Sequence, residues 1–215
     1  MLEVQHAYVT YALMAITILL SWQANENATL KRKLIFYPFA VKRYREYYRF
    51  LTGGFIHADW MHLIINMYVL YMFGELAEFY FVTTFGMLGW VLYPLMYLLA
   101  IPIAETYSYI KHHDNAYYMS LGASGAVSAV VFASILFNPL AEMGIILIPI
   151  YFPGFIMGIF YLLYSNFMAH RAMDNVGHNA HFYGALFGLV FPGLFKPVLF
   201  LYFIDQIQAW VNNIL

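Results

Sequence analysis

The sequence predicts an all-α polytopic membrane protein. Three observations carry that expectation. Of its 215 residues, 63% are hydrophobic and only 10% charged, against about 25% charged in soluble domains. The mean hydropathy is +0.68. Apolar runs of helical length recur along the chain, separated by segments that collect the polar residues. A net charge of −1 leaves no nucleic-acid footprint. The absence of cysteine excludes a thiol nucleophile, a disulfide framework and Cys-ligated zinc.

Six spans are expected within a single domain over residues 1–215. The first, about 7–22, lacks a basic start and a small-residue cleavage site, so it reads as a retained span. A long loop, about 23–59, carries seven of the ten basic residues, Lys31, Arg32, Lys33, Lys42, Arg43, Arg45 and Arg49, among many aromatics. That mixture suits a loop lying at lipid headgroups. The second span covers about 60–81. The third covers 87–104, with kinks expected at Pro94 and Pro102, and a polar loop follows to 121. The fourth, 124–137, is short for a crossing and implies a water-filled cavity above its start. Asn138-Pro139 ends it, and 140–153, broken by Pro149 and Pro153, reads as a surface loop. The fifth span covers 154–167 and the sixth 180–195. The tail, 196–215, reads as an interfacial helix carrying Trp210.

Three constellations carry candidate chemistry. Ser124 stands in Gly122-Ala123-Ser124-Gly125 at a loop-to-helix junction. Gly122 and Gly125 let another backbone or a substrate approach closely. The helix start aims unpaired N–H groups outward, where an oxyanion would be stabilised. Taken alone, small residues in an apolar helix are packing residues; the rest of the chain supplies the serine with a partner. His62 and Asn66 are four apart and share a helix face. They suit a donor pair for an oxyanion, with an interhelical polar clasp as the competing reading. Gly184 and Gly188 form a small-xxx-small stripe, with His181 one turn before Gly184. Were that stripe to meet the glycines around Ser124, the imidazole would come within reach of the hydroxyl, the usual arrangement for activating serine.

These motifs, His62-x-x-x-Asn66, Gly122-x-Ser124-Gly125 and Ala180-His181-x-x-Gly184-x-x-x-Gly188, resemble in the same order those of the rhomboid family of intramembrane serine proteases. Tyr48-Arg49 is similar to that family's Trp-Arg pair, with Tyr replacing Trp, and His57 and Glu78 fall where its pattern places a histidine and an acid. The resemblance covers roughly residues 48–195. It implies a six-transmembrane-helix bundle whose short central fourth helix carries the serine. It further implies a serine endopeptidase that cuts peptide bonds in or near the transmembrane helices of membrane-protein substrates. Ser124 would be the nucleophile and His181 the base of a Ser–His dyad, with no third carboxylate. The Ser124 N–H, His62 and Asn66 would hold the oxyanion, with no cofactor and no metal. The fifth span and residues 168–179 would form the lateral gate and cap. The family's aromatic four residues after the serine is Ser128 here, which leaves the stacking partner of His181 open.

Four other readings stay open on the sequence: an inactive rhomboid-like protein that binds transmembrane helices; a metal or haem protein using His57, His62, His178 and His181; a metalloprotease, which lacks a His-Glu-x-x-His run; and a transporter, which lacks inverted repeats and paired intramembrane charges. Oligomeric state is not legible. The resemblance implies a bacterial inner membrane with the site's mouth on the non-cytoplasmic side. The positive-inside rule argues the reverse, since the basic first loop, Lys111 and Arg171 share one side and Lys196 lies on the other. The family orientation is the one expected, with the loop bases gripping anionic lipid headgroups.

Overall fold

A computed structural model of the chain describes residues 7–145, 148–171 and 177–214. Ten α-helices and one small hairpin, with short 3₁₀ turns at Gly53–Phe55 and Gly86–Leu88, make up the regular structure of these residues. In order they are α1 (Tyr8–Glu26), α2 (Ala28–Leu34), α3 (Pro38–Tyr44), α4 (Arg49–Thr52), α5 (Trp60–Phe85), α6 (Gly89–His112), α7 (Ser124–Phe137), β1 (Glu142–Ile145), β2 (Ile148–Pro153), α8 (Gly154–Arg171), α9 (His178–Phe195) and α10 (Val198–Ile214).

The protein is built around α7. Every residue of this helix except Ser124 and Val131 is buried, and α5, α6, α8, α9 and α10 all pack on it. A helix that is apolar on all sides belongs in the middle of a bundle. The α7–α9 seam is the tightest. A Cβ at Gly184 would overlap the Gly125 carbonyl oxygen, and one at Gly188 would overlap that of Ala129. The two backbones therefore touch, which only glycine permits at those positions. Tyr93, Met96 and Tyr97 of α6 and Leu70 and Phe81 of α5 fill the core beside α7.

The outer surfaces of the helices are apolar as well. Ile64, Ile65, Tyr68 and Met72 of α5, Phe160 and Leu163 of α8, and Leu201 and Ile204 of α10 are all exposed. The helical stretch Trp60–His112, which turns through Gly86 at φ 61°, is long and apolar enough to cross a membrane; α9 and α10 meet the criterion together across a bend of 116°. Ser124–Phe137 and Gly154–Ala169 are shorter apolar helices.

Where the elements differ from the sequence expectation, the causes are physical. The first loop is largely helical, holding α2, α3 and α4. α6 runs two turns past the end of its apolar run and absorbs Pro94 and Pro102. Residues 140–153, expected as a loop, contain an antiparallel hairpin pairing Glu142 with Pro153 and Gly144 with Tyr151. The fold is thus mostly helical rather than purely so. The tail is the single helix α10, whose Trp210 ring meets Phe155 of α8 edge-on.

Candidate active site

Three candidate residues occupy first turns of helices. Asp59 caps α5 by accepting the His62 N–H at 2.8 Å, which sets His62 on the opening turn. Ser124 is the first residue of α7, and no side chain caps that helix. His181 lies in the first turn of α9, its N–H bonded to the Gly177 carbonyl at 3.1 Å.

The segment entering α7 is held from three sides. Ser120 pairs with Phe36 in a two-way backbone bridge, both bonds 3.1 Å, and the Gly122 N–H donates to the Gly53 carbonyl at 2.9 Å. Gly122 sits at φ 125°, a conformation that side-chain-bearing residues rarely adopt. The His62 imidazole lies against its Cα face: a Cβ there would fall 2.6 Å from Cε1. The third anchor is His57, fully buried. Its Nε2 accepts the Ala123 N–H at 3.3 Å and its Nδ1 lies 2.9 Å from Ser21 Oγ, which in turn donates to the Phe55 carbonyl at 3.1 Å. An accepting Nε2 requires the neutral tautomer protonated on Nδ1. Burial pushes the His57 pKa down to about 3, with His62 beside it acting in the same direction. His57 therefore positions the entrance of α7.

Ser124 and His181 are brought to the two sides of the α7–α9 seam. Gly125, next to Ser124, would place a Cβ 3.3 Å from the carbonyl oxygen of Ala180, the neighbour of His181. Gly184, one turn after His181, meets the Gly125 carbonyl. Ser124, His181 and His62 are each partly accessible, whereas Asn66 is buried. Asn66 Nδ2 donates to the His62 carbonyl at 2.9 Å, one turn back on its own helix, and the amide carries a second donor hydrogen.

The remaining motif residues are structural. Arg49, buried, donates from Nη1 to the carbonyls of Arg32 and Ile35 at 2.8 Å each and pairs with Glu46, closing the C-terminal end of α2. Glu78 of α5 accepts the N–H groups of Val9 and Thr10 at 3.0 and 2.8 Å, and the Thr10 hydroxyl at 2.8 Å. It acts as a tertiary N-cap for α1, which has no capping side chain of its own. Of the first-loop bases, Lys31 bonds Asn25 and the Ala58 carbonyl, and Lys42 pairs with Asp114.

The four histidines of the metal reading form two pairs, His57 with His62 and His178 with His181, each edge-on at ring-centroid distances of 4.9 and 5.8 Å. Among the described residues, no three His, Asp or Glu side chains group as metal ligands. Sequence reasoning missed Ser21, the partner of His57, and Tyr161 of α8. The Tyr161 ring stacks on His181 at 6.3 Å and 22°, and its hydroxyl lies 2.6 Å from Ser128 Oγ. Nothing near either residue in the chain marks it. Part of the cap expected over 168–179 (residues 172–176) lies outside the described residues.

The Rhomboid domain model of the protein families matches residues 44–197, most of the chain. The chain belongs to the rhomboid family. It is similar to rhomboid-like protein 11, chloroplastic, of Arabidopsis thaliana, at 32% identity over 156 residues, covering 67% of this chain and 51% of the relative. It is also similar to the mouse presenilin-associated rhomboid-like protein, mitochondrial, at 32% over 149 residues, 65% of this chain and 36% of the relative. A third relative is RHOMBOID-like protein 12, mitochondrial, of Arabidopsis thaliana, at 29% over 146 residues, 63% of this chain and 42% of the relative. This rhomboid thus spans about half the length, or less, of the curated relatives it matches.

These names correct the location expected from the sequence. The relatives are chloroplastic and mitochondrial, which overturns the bacterial inner membrane expected from the sequence. The reason is physical: apolar helices partition into any bilayer of suitable thickness, so the rhomboid motifs carry chemistry and no address.

Proposed function

We propose that this rhomboid is an intramembrane serine endopeptidase that cuts membrane-protein substrates in or near their transmembrane helices, in an organellar membrane. The carrying observation is the glycine seam between the first turns of α7 and α9, beside Ser124 and His181. In this reading α1, α5, α6, α7, α8 and α9 are six membrane spans, and α7 is the short central one.

Ser124 Oγ attacks the peptide carbonyl carbon while His181 takes its proton. The carbonyl oxygen becomes an oxyanion held by the Ser124 N–H, His62 and the second Asn66 N–H. Collapse breaks the C–N bond, and His181 hands the proton to the leaving amine. Water, deprotonated by the same imidazole, then hydrolyses the acyl-enzyme. The apolar outer faces of the helices suit lateral approach of a helical substrate through lipid, and the partial exposure of Ser124 and His181 suits entry of water.

A fluorophosphonate probe, which loses fluoride to an activated serine, tests the assignment. Peptide mapping is expected to find the label on Ser124 in the wild type and none there in His181→Ala. Labelling that is absent from Ser124, or indifferent to His181, would contradict the dyad.

A further inference from the structure

We propose that Tyr161 of α8 is the positioning residue for His181, its ring fixing the plane of the imidazole and its hydroxyl tying that ring to α7. This rests on the reading of His181 as the catalytic base. The observation is a continuous contact path. The Tyr161 ring lies 6.3 Å from the His181 ring with an interplanar angle of 22°. Its hydroxyl is 2.6 Å from Ser128 Oγ. Ser128 Oγ donates its one hydrogen to the Ser124 carbonyl at 2.8 Å, so Tyr161 is the donor to Ser128. Phe132 of α7 packs against Tyr161 at 5.6 Å. The tyrosine is thereby clamped by two side chains of α7 and presents a face to α9.

The pairing has a register. Tyr164, one turn after Tyr161, meets His178, one turn before His181, edge-on at 5.7 Å. Two tyrosines of α8 thus address two histidines of α9. An imidazole on a single Cβ can rotate about its χ2 torsion, and a base must hold its proton-accepting lobe toward the serine. An offset aromatic stack restricts that rotation. Because the clamp passes through Ser128 to the carbonyl of Ser124 itself, the orientations of nucleophile and base are set through one tyrosine. It stands on a third helix, so the separation of α8 from α7 and α9 governs how the base is held.

Two variants separate the ring from the hydroxyl: Tyr161→Phe, which keeps the aromatic face, and Tyr161→Leu, which keeps apolar volume without it. In proteoliposomes with a model transmembrane substrate, Tyr161→Leu is expected to lower kcat about tenfold or more with little change in KM, since small misplacements of a catalytic group cost up to about a hundredfold. Tyr161→Phe, which keeps the stacked face and loses only the tie to Ser128, is expected to lower kcat by less, about a few-fold. By NMR, the ring protons of His181 should carry an upfield ring-current shift in the wild type and Tyr161→Phe, lost in Tyr161→Leu. Wild-type kcat in Tyr161→Leu, a defect confined to KM, or equal damage from both variants would overturn the proposal. If the wild type cleaves nothing, the protease reading fails by itself, and the ring-current shift still decides: its absence from the wild type would overturn the stack.

Discussion

A neutral His57 holds the entrance of α7, and its neutrality sets an acid limit on stability. Its folded pKa of about 3 lies below the ordinary histidine value of 6.5. Between those values the unfolded chain binds the extra proton and the folded chain does not, so stability falls as pH drops from about 6.5 toward 3. The melting temperature is expected to decline across that window, and less steeply in His57→Gln; parallel curves for the two proteins would remove His57 as the cause. The oxyanion role proposed for His62 and Asn66 makes a different prediction. His62→Ala and Asn66→Ala should each lower kcat more than they alter KM, by on the order of 3 kcal/mol for one lost donor. Intact turnover with a sharply lower melting temperature would identify them as a clasp. That His62 and Asn66 share a helix face was legible in their spacing, and the close approach of α7 to α9 was legible in Gly125, Gly184 and Gly188. Ser21 and Tyr161 were not, because their partners lie 36 residues away at His57 and on two other helices at Ser128 and His181, a register that only tertiary packing decides.

Two helix junctions test the architecture. At the α7–α9 seam, Gly188→Ala would push a methyl group into the Ala129 carbonyl. Overpacking in a close-packed interior costs about 1–3 kcal/mol, and a rigid backbone obstacle argues for the upper end. Thermal unfolding in detergent should register that loss, and wild-type stability in Gly188→Ala would mean that the helices are farther apart. At the start of α1, Glu78→Ala removes the acceptor of three hydrogen bonds, leaving buried donors unsatisfied at about 1–3 kcal/mol. Faster hydrogen exchange confined to the first turn of α1 is the expected sign, and unchanged exchange there would refute the cap. The bounds of α7 were legible, since Ser124-Gly125 opens it and Asn138-Pro139 stops it. The reach of α6 to His112 was not: hydropathy reports where the apolar run ends, while Glu105–Lys111 is polar yet compatible with a helix. The hairpin over 142–153 was hidden by Pro149 and Pro153, which read as breakers although Pro153 stands at the end of its strand.

For the molecule as a whole, composition anticipated a bundle with an apolar exterior, and ordered motifs anticipated the family. Location was not legible, because lipid-facing surfaces look alike in every bilayer. The central claim is that this bundle holds a serine protease site in the membrane. The most direct measurement reconstitutes the purified chain in liposomes with a labelled model transmembrane substrate and compares it with Ser124→Ala. The account predicts fragments from a cut in or near the substrate's membrane segment with the wild type, and none with Ser124→Ala. Fragments produced equally by Ser124→Ala, or an intact substrate retained in stable complex with both proteins, would contradict it; the second result would make the chain a binder of transmembrane helices.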